Sequence, residues 1–167
     1  MIPKNSTSLV SVIVRTNHSE RIIGESLTCL FTQYFQNFEL TVIDYSSKDR
    51  TRNIVREFPC QRFMVPAKKY NPGLVLNQAI AKTSGRILVF LNADAILVSP
   101  NSLFALIQEF VDPNVKAVFG RQVPRMDATN PIQSLVCETF PEKGNPPEWL
   151  PFSMVFGAIR RSAWMKH

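Results

Sequence analysis

Cysteine and histidine are scarce in this chain, and the scarcity narrows its chemistry. Its 167 residues hold three cysteines, Cys29, Cys60 and Cys137. An odd number cannot close into a complete disulfide set, and none of the three has the Cys-x-x-Cys spacing of a structural zinc site. Free thiols fit a reducing, cytoplasmic setting. His18 and His167 are the only histidines, too few to build a histidine-ligated metal centre, and no Ser-His-Asp or Cys-His pattern emerges. Neither G-x-G-x-x-G nor a Walker A sequence occurs, which argues against a nicotinamide-binding Rossmann oxidoreductase. Long hydrophobic runs are missing too. Residues 87–98 form the longest candidate and are broken by Asn92 and Asp94, well short of the roughly 20 apolar residues of a membrane span. Leu9–Val14 is too short for a signal-peptide core. Any membrane contact is therefore expected to be peripheral, at the inner face.

Acidic residues are the minority charge. Thirteen Asp and Glu stand against 19 Lys and Arg, for a net charge of +6, which favours an anionic partner. The basic residues are scattered along the chain rather than massed on one element, so nucleic acid is not the expected partner.

What is present reads as one globular domain spanning 1–167. Hydrophobic residues make up 45% and charged residues 19%, a balance that excludes disorder. A chain of this length buries about 70% of its unfolded surface and needs no covalent staple. Strand-like and helix-like segments alternate. Leu9–Val14, Phe38–Ile43, Arg62–Val65, Ile87–Leu91 and Val115–Phe119 read as strands. Between them lie a helical stripe opening near Ser19 and carrying Ile23, Leu27, Leu30, Phe31 and Tyr34, a short helix through Ile54, Val55 and Phe58, a helix over Gly73–Thr83, and one opened by Ser99-Pro100. This alternation predicts an α/β fold, a mainly parallel central sheet with helices on both faces. Seven of the twelve prolines fall between Pro113 and Pro151, so the stretch after Gly120 reads as a long loop of functional character. Phe152–Ile159 is apolar enough to return as a strand, and 160–167 begins a helix.

In such sheets ligands bind beyond the carboxyl ends of the strands. That brings Thr16–His18, Asp44–Asp49 and Asn92–Asp94 to one mouth. The Asp44 carboxylate can accept from a base imide or a ribose hydroxyl, with Ser46 and Ser47 as donors; equally, Asp44 can start a turn while Asp49 caps the next helix. Asn92 and Asp94, two residues apart at a strand end, carry the oxygen ligands that hard divalent cations prefer; a polar turn closing a buried strand is the other reading. Lys68 and Lys69 are candidate diphosphate contacts or a solvated basic turn, and Gly73 and Asn77 either admit a ligand closely or shape a helix start.

Taken in order, the segments resemble the family 2 glycosyltransferases of the GT-A fold. Val10-Ser-Val-Ile-Val-Arg-Thr16-Asn-His18 stands in place of V-S-V-I-I-P-T-Y-N. Phe38-Glu-Leu-Thr-Val-Ile-Asp44-Tyr-Ser-Ser47-Lys-Asp49-Arg-Thr51 matches F-E-L-I-V-V-D-x-G-S-x-D-x-T. Asn71-Pro-Gly73-Leu-Val-Leu-Asn77 follows N-x-G-x-x-x-N, Gly85 to Asp94 follows G-x-x-x-x-F-L-D-A-D, and Phe156-Gly157-Ala-Ile-Arg160-Arg161 is similar to the family's acceptor-side strand. The resemblance implies inverting transfer of a sugar from a nucleotide diphosphate sugar to a saccharide, lipid-carrier or protein acceptor, as in polysaccharide biosynthesis. It assigns the nucleotide-sugar pocket to Thr16, Asn17, His18, Asp44, Ser46, Ser47, Gly73, Asn77, Asn92 and Ala93, and a divalent metal, Mn or Mg, to Asp94 with Asn92. It divides the domain into a donor-binding part, about 9–120, and an incomplete acceptor-side part, about 121–167.

The departures are specific. Asn92 replaces the first acid of the D-x-D motif, Ser46 replaces a glycine, and Leu76 stands where an arginine is common. The family's catalytic carboxylate lies beyond the Phe156–Arg161 match, and the chain ends at His167, so the expectation is a fragment without its base unless Glu138, Glu142 or Glu148 substitutes. A non-catalytic nucleotide-binding module on the same scaffold is the alternative.

Overall fold

The computed structural model describes residues 9–66 and 71–166. A six-stranded sheet runs in the order β3-β2-β1-β4-β6-β5. Its parallel half consists of β1 (Val10–Thr16), β2 (Phe38–Tyr45), β3 (Gln61–Val65) and β4 (Ile87–Asn92). The strand order switches direction between β1 and β4, and helices α1 (Ile23–Phe31), α2 (Thr51–Arg56) and α3 (Pro72–Ile80) carry the crossovers from β1 to β2, β2 to β3 and β3 to β4. After α4 (Ser102–Gln108) and a 3-10 turn over Glu109–Val111, the chain makes the short edge strand β5 (Ala117–Phe119). It then forms α5 (Asn130–Thr139) before returning as β6 (Phe156–Arg160), and closes with α6 (Arg161–Trp164). β6 inserts between β4 and β5, antiparallel to both.

Alternation along the strands divides the core. Val10, Val12 and Val14 of β1, with Leu40, Val42, Val89 and Leu91, face Ile23, Leu27 and Leu30 of α1, Val55 of α2 and Leu103, Leu106 and Ile107 of α4. Ile13, Ile43, Leu88 and Phe90 face Val75, Leu76, Ala79 and Ile80 of α3 on the other side. Leu76 is therefore a core residue, 4% exposed; a charged side chain there would lose its water.

Three local expectations are corrected. The stretch after Gly120 is not all loop, because α5 occupies 130–139 with Pro131 at its first turn, where a missing N–H is harmless. Ser99-Pro100 does not open α4 directly; Ser102 N donates to Ser99 O at 3.0 Å, making a turn ahead of the helix. The helix expected at Ser19 begins at Ile23, after a turn in which Ile22 and Ile23 N donate to Ser19 O. Among the described residues no helix is long and apolar enough to cross a membrane.

Candidate nucleotide-sugar site

Strand register brings three distant segments together. Thr16 pairs with Asp44 across β1 and β2, and Arg15 pairs with Asn92 across β1 and β4. The ends of the three strands, and the turns after them, thus form one mouth at the switch in strand order.

The turns lock each other. His18 N donates to Ser47 Oγ at 2.9 Å, and Lys48 N donates to His18 Nε2 at 3.2 Å. The Asn17 amide donates to Tyr45 O, and Asn17 Oδ1 lies 3.0 Å from His18 Nδ1. Beyond them, Ser19 N donates to Thr51 Oγ1 and Arg50 N to Glu20 Oε2, both at 2.8 Å. Asp49 accepts from Thr51 N at 3.1 Å and Glu20 N at 3.3 Å. What burial it has raises the Asp49 carboxyl, but the hydrogen bonds from Thr51 and Glu20 and the field of His18 leave it below its ordinary range. His18 and Ser46 hold left-handed backbone, at φ 49° and 53°, a conformation non-glycine residues adopt at a cost. Strain of this kind concentrates where a surrounding site over-determines it.

Two clefts open at this mouth. The smaller, about 340 Å³, is walled by Arg15, Thr16, Asn17, Ser19, Ile43, Tyr45, Asn92, Ala93 and Asp94. The larger, about 1530 Å³, runs from the end of β4 under α4 and the segment after β5, with Phe119, Phe140, Phe152 and Phe156 among its walls and Arg121, Arg125 and Glu142 at its edge. Phe119 meets Phe140 and Phe152 edge-on at 6.3 and 6.0 Å. Asn92 and Asp94 border both clefts.

Of the residues singled out in the sequence, Thr16, Asn17, Asn92, Ala93 and Asp94 line the smaller cleft. Asp44 borders neither. It is 6% exposed, accepts from Ser47 N at 3.4 Å and is paired with Arg52 Nε at 2.5 Å, so its carboxylate shapes the turn behind the cleft wall. Ser46 Oγ donates to Val65 O at 2.9 Å, tying the same turn to β3. His18, which is exposed, and Ser46 and Ser47 likewise line neither cleft. Gly73 and Asn77 lie on α3, outside both clefts. Gly73 is exposed in its first turn, and Asn77 Oδ1 accepts from Trp164 Nε1 at 2.8 Å. Lys68, Lys69 and His167 fall outside the described residues. Of the three glutamates considered as bases, Glu142 alone borders the larger cleft.

Sequence reading misses four of the walls, Arg15, Ser19, Ile43 and Tyr45. Strand parity carries the signal: Arg15 continues the inward face of Ile13, and Tyr45 that of Ile43.

For a divalent cation, the donor set is partial. Asp94 is exposed and has no hydrogen-bond partner among the described residues, whereas Asn92 Oδ1 already accepts from Arg15 Nη2 at 3.2 Å. No cluster of three or more acidic, histidine or cysteine ligands exists among the described residues. Asp94 therefore fits a cation whose remaining ligands come from a bound diphosphate and water, the usual pattern for Mg²⁺.

The chain belongs to glycosyl transferase family 2, whose family-wide sequence profile it matches over residues 11–166. It is 33% identical over 125 residues to the O-antigen chain rhamnosyltransferase RfbN of Salmonella typhimurium, covering 74% of this chain and 40% of that protein. It is 32% identical over 114 residues to the UDP-Glc:alpha-D-GlcNAc-diphosphoundecaprenol beta-1,3-glucosyltransferase WfgD of Escherichia coli, covering 67% of this chain and 45% of that one. The chain thus spans less than half the length of either relative. Among solved structures it superposes on the mannosyltransferase PcManGT of Pyrobaculum calidifontis, described in complex with GDP-Man and Mn²⁺. The TM-score is 0.70 at 23% identity, over 97% of this chain and 47% of that one. The fold is accordingly the GT-A fold expected from the motifs, with antiparallel β5 and β6 added to its parallel half.

Proposed function

We propose that this chain carries the donor half of an inverting glycosyltransferase. The smaller cleft takes a nucleotide diphosphate sugar, and the larger takes the acceptor. The observation that carries this reading is the junction of the two clefts at Asn92 and Asp94, which brings donor and acceptor spaces to a common edge. Thr16 and Asn17 border the nucleotide, held by the interlocked turns behind them. Asp94 would hold a divalent cation, Mn or Mg, which when bound neutralises charge on the departing diphosphate. Asp44 acts through the turn it shapes and through Arg52.

The larger cleft, with its apolar walls and basic edge, suits a saccharide carried on a lipid diphosphate, the acceptor named for the Escherichia coli relative. Such an acceptor would bring the domain to the inner face of a membrane peripherally. A base must take the proton of the attacking hydroxyl, and Glu142 is the bordering glutamate among those weighed. The domain divides into a donor part, about 9–120, and an acceptor part, about 121–167, with both parts contributing walls to the larger cleft.

Titration of the folded chain with UDP, GDP and dTDP sugars, with and without Mn²⁺, tests the reading. Binding of at least one is expected. Asp94→Ala should lower the Mn²⁺-supported component at least tenfold while leaving thermal stability within about 0.5 kcal/mol, as for an exposed side chain. An equal loss with and without metal would remove Asp94 from the ligand set. Binding without transfer or donor hydrolysis would favour a non-catalytic binding module, a reading that the engaged Asn92 supports.

A further inference from the structure

Arg15 is a cation without an anion. It is half-buried in the wall of the smaller cleft. The ion pairs among the described residues are Arg52–Asp44 and Arg125–Asp127, and neither includes it. Its hydrogen bond is made by Nη2 to the neutral amide oxygen of Asn92 at 3.2 Å. A guanidinium has five N–H donors in a planar fork, so most of its capacity is unspent. Removing a cation from water without a counter-charge is costly, and in a native cleft that cost is offset when an anionic ligand completes the site.

The next residue carries a second polar group without a partner. Thr16, next in the chain with its side chain on the opposite face of β1, is 4% exposed, and its Oγ1 is buried without a hydrogen-bond partner. A buried hydroxyl left unsatisfied costs about 1–3 kcal/mol. The cleft therefore presents an uncompensated cation, with an orphaned hydroxyl buried one residue further along the same strand.

The sequence departs from the family motif at both members of the Arg15–Asn92 pair. One negative charge is lost at Asn92 and one positive charge is gained at Arg15. These changes are coupled by geometry. An aspartate at 92, at the observed 3.2 Å, would pair with the guanidinium and cancel it. Asparagine fixes the same guanidinium while leaving its charge available.

We propose that Arg15, positioned by Asn92, grips the diphosphate of the nucleotide sugar directly, so that this chain holds its donor with a protein-borne cation in addition to any divalent metal at Asp94. The fork geometry of arginine suits a phosphate better than a lysine does. This proposal rests on the reading of the smaller cleft as the donor site.

The test uses the full chain, with UDP, GDP and dTDP as probes and uridine, guanosine and thymidine as their uncharged counterparts, titrated in EDTA and in Mn²⁺. At least one diphosphate should bind in EDTA. Arg15→Gln should weaken that binding at least tenfold, weaken the Mn²⁺-supported binding less, and leave nucleoside binding unchanged. Asn92→Asp should also weaken binding in EDTA while increasing the ratio of Mn²⁺-supported to metal-free affinity. Should Arg15→Gln fail to fold, as read by thermal unfolding, Asn92→Asp decides alone. The proposal is overturned if the native chain binds diphosphates only with Mn²⁺, if Arg15→Gln weakens nucleoside and diphosphate equally, or if neither variant changes binding in EDTA. Failure of the donor-site reading itself looks different: a folded native chain that binds no diphosphate under either condition.

Discussion

The two ends of the central sheet handle polar groups in opposite ways. At the end where β1 and β4 begin, hydrogen bonding is saturated. Glu39 Oε1 accepts from Ser11 Oγ at 2.8 Å, Ser84 N at 2.5 Å, Ser84 Oγ and Gly85 N at 3.1 Å. Arg161 reaches across from the end of β6 and donates to Gly85 O, Thr83 Oγ1, Ile80 O and Ser11 Oγ at 2.6 to 3.3 Å. At the opposite end, where the strands finish, Thr16 Oγ1 has no partner, Arg15 has no counter-ion among the described residues, and two non-glycine residues hold left-handed backbone. The same strands thus secure the fold at one end and leave binding capacity unspent at the other. The antiparallel return of β6 makes this possible, because it carries Arg161 away from the mouth.

The saturated end should be the more fragile to substitution. The largest effect is expected at Gly85. A Cβ there would sit 2.5 Å from Ser11 N and 2.6 Å from Val10 C, atoms of the backbone that cannot step aside cheaply. Gly85→Ala should cost about 3 kcal/mol, read as a lowered urea midpoint, because the shift also breaks the Arg161 and Glu39 contacts to Gly85. A change below about 1 kcal/mol would mean that this end is more plastic than its hydrogen bonding implies.

Glu39→Gln comes next, at about 2 kcal/mol at neutral pH, the worth of charge-assisted hydrogen bonds. Burial raises the Glu39 carboxyl, but the bonds from Ser84, Ser11 and Gly85 outweigh it and hold the group below its ordinary value of 4.5. The folded value lies below the unfolded one, so the contribution is whole above about pH 4.5 and is lost as pH falls through the folded value. The stability curve of the native chain should therefore fall more steeply on the acid side than that of Glu39→Gln. Parallel curves would remove Glu39 from the acid response.

The contrast also explains what could be read in the sequence. The parallel half was legible because β-branched runs such as Val10–Val14 are buried on both faces, and their order placed the three turns at one mouth. Helix α5 was not, because Ile132 and Leu135 remain 52% and 60% exposed, so no core-facing stripe stood out among the prolines. The insertion of β6 between β4 and β5 depends on pairing over a long sequence separation, which local pattern does not encode. The pairing of Asp44 with Arg52 is not legible in the sequence, because Arg52 sits on a helix whose approach only the fold determines. Arg15 was overlooked because a charge near a strand end ordinarily reads as solvated.

At the mouth, effects on stability should be smaller and their sign should depend on strain. Ser46 holds φ 53° and donates to Val65 O. Ser46→Ala keeps the strain and loses the bond; Ser46→Gly loses the bond and relieves the strain. The glycine variant should be the more stable of the two by about 1 kcal/mol. If alanine is equal or better in thermal unfolding, the turn is not strained.

The sharpest form of the comparison uses two threonines with the same defect. Thr16 and Thr41 are both buried, and both have an Oγ1 without a partner. Thr41 lies in the middle of β2, paired with Ile13 and Gln61, whereas Thr16 ends β1 in the wall of the smaller cleft. Valine replaces threonine with nearly the same shape and removes the unsatisfied hydroxyl, so each variant should gain about 1 kcal/mol in the absence of ligand. Binding should separate them. Thr41→Val should bind UDP, GDP and dTDP as the native chain does, while Thr16→Val should bind the accepted one several-fold more weakly if donor binding turns the buried Thr16 hydroxyl toward the ligand. A protein keeps such a defect where its removal costs function. Equal binding by the two variants would make Thr16 a second interior imperfection and leave the cleft wall without its hydroxyl contact.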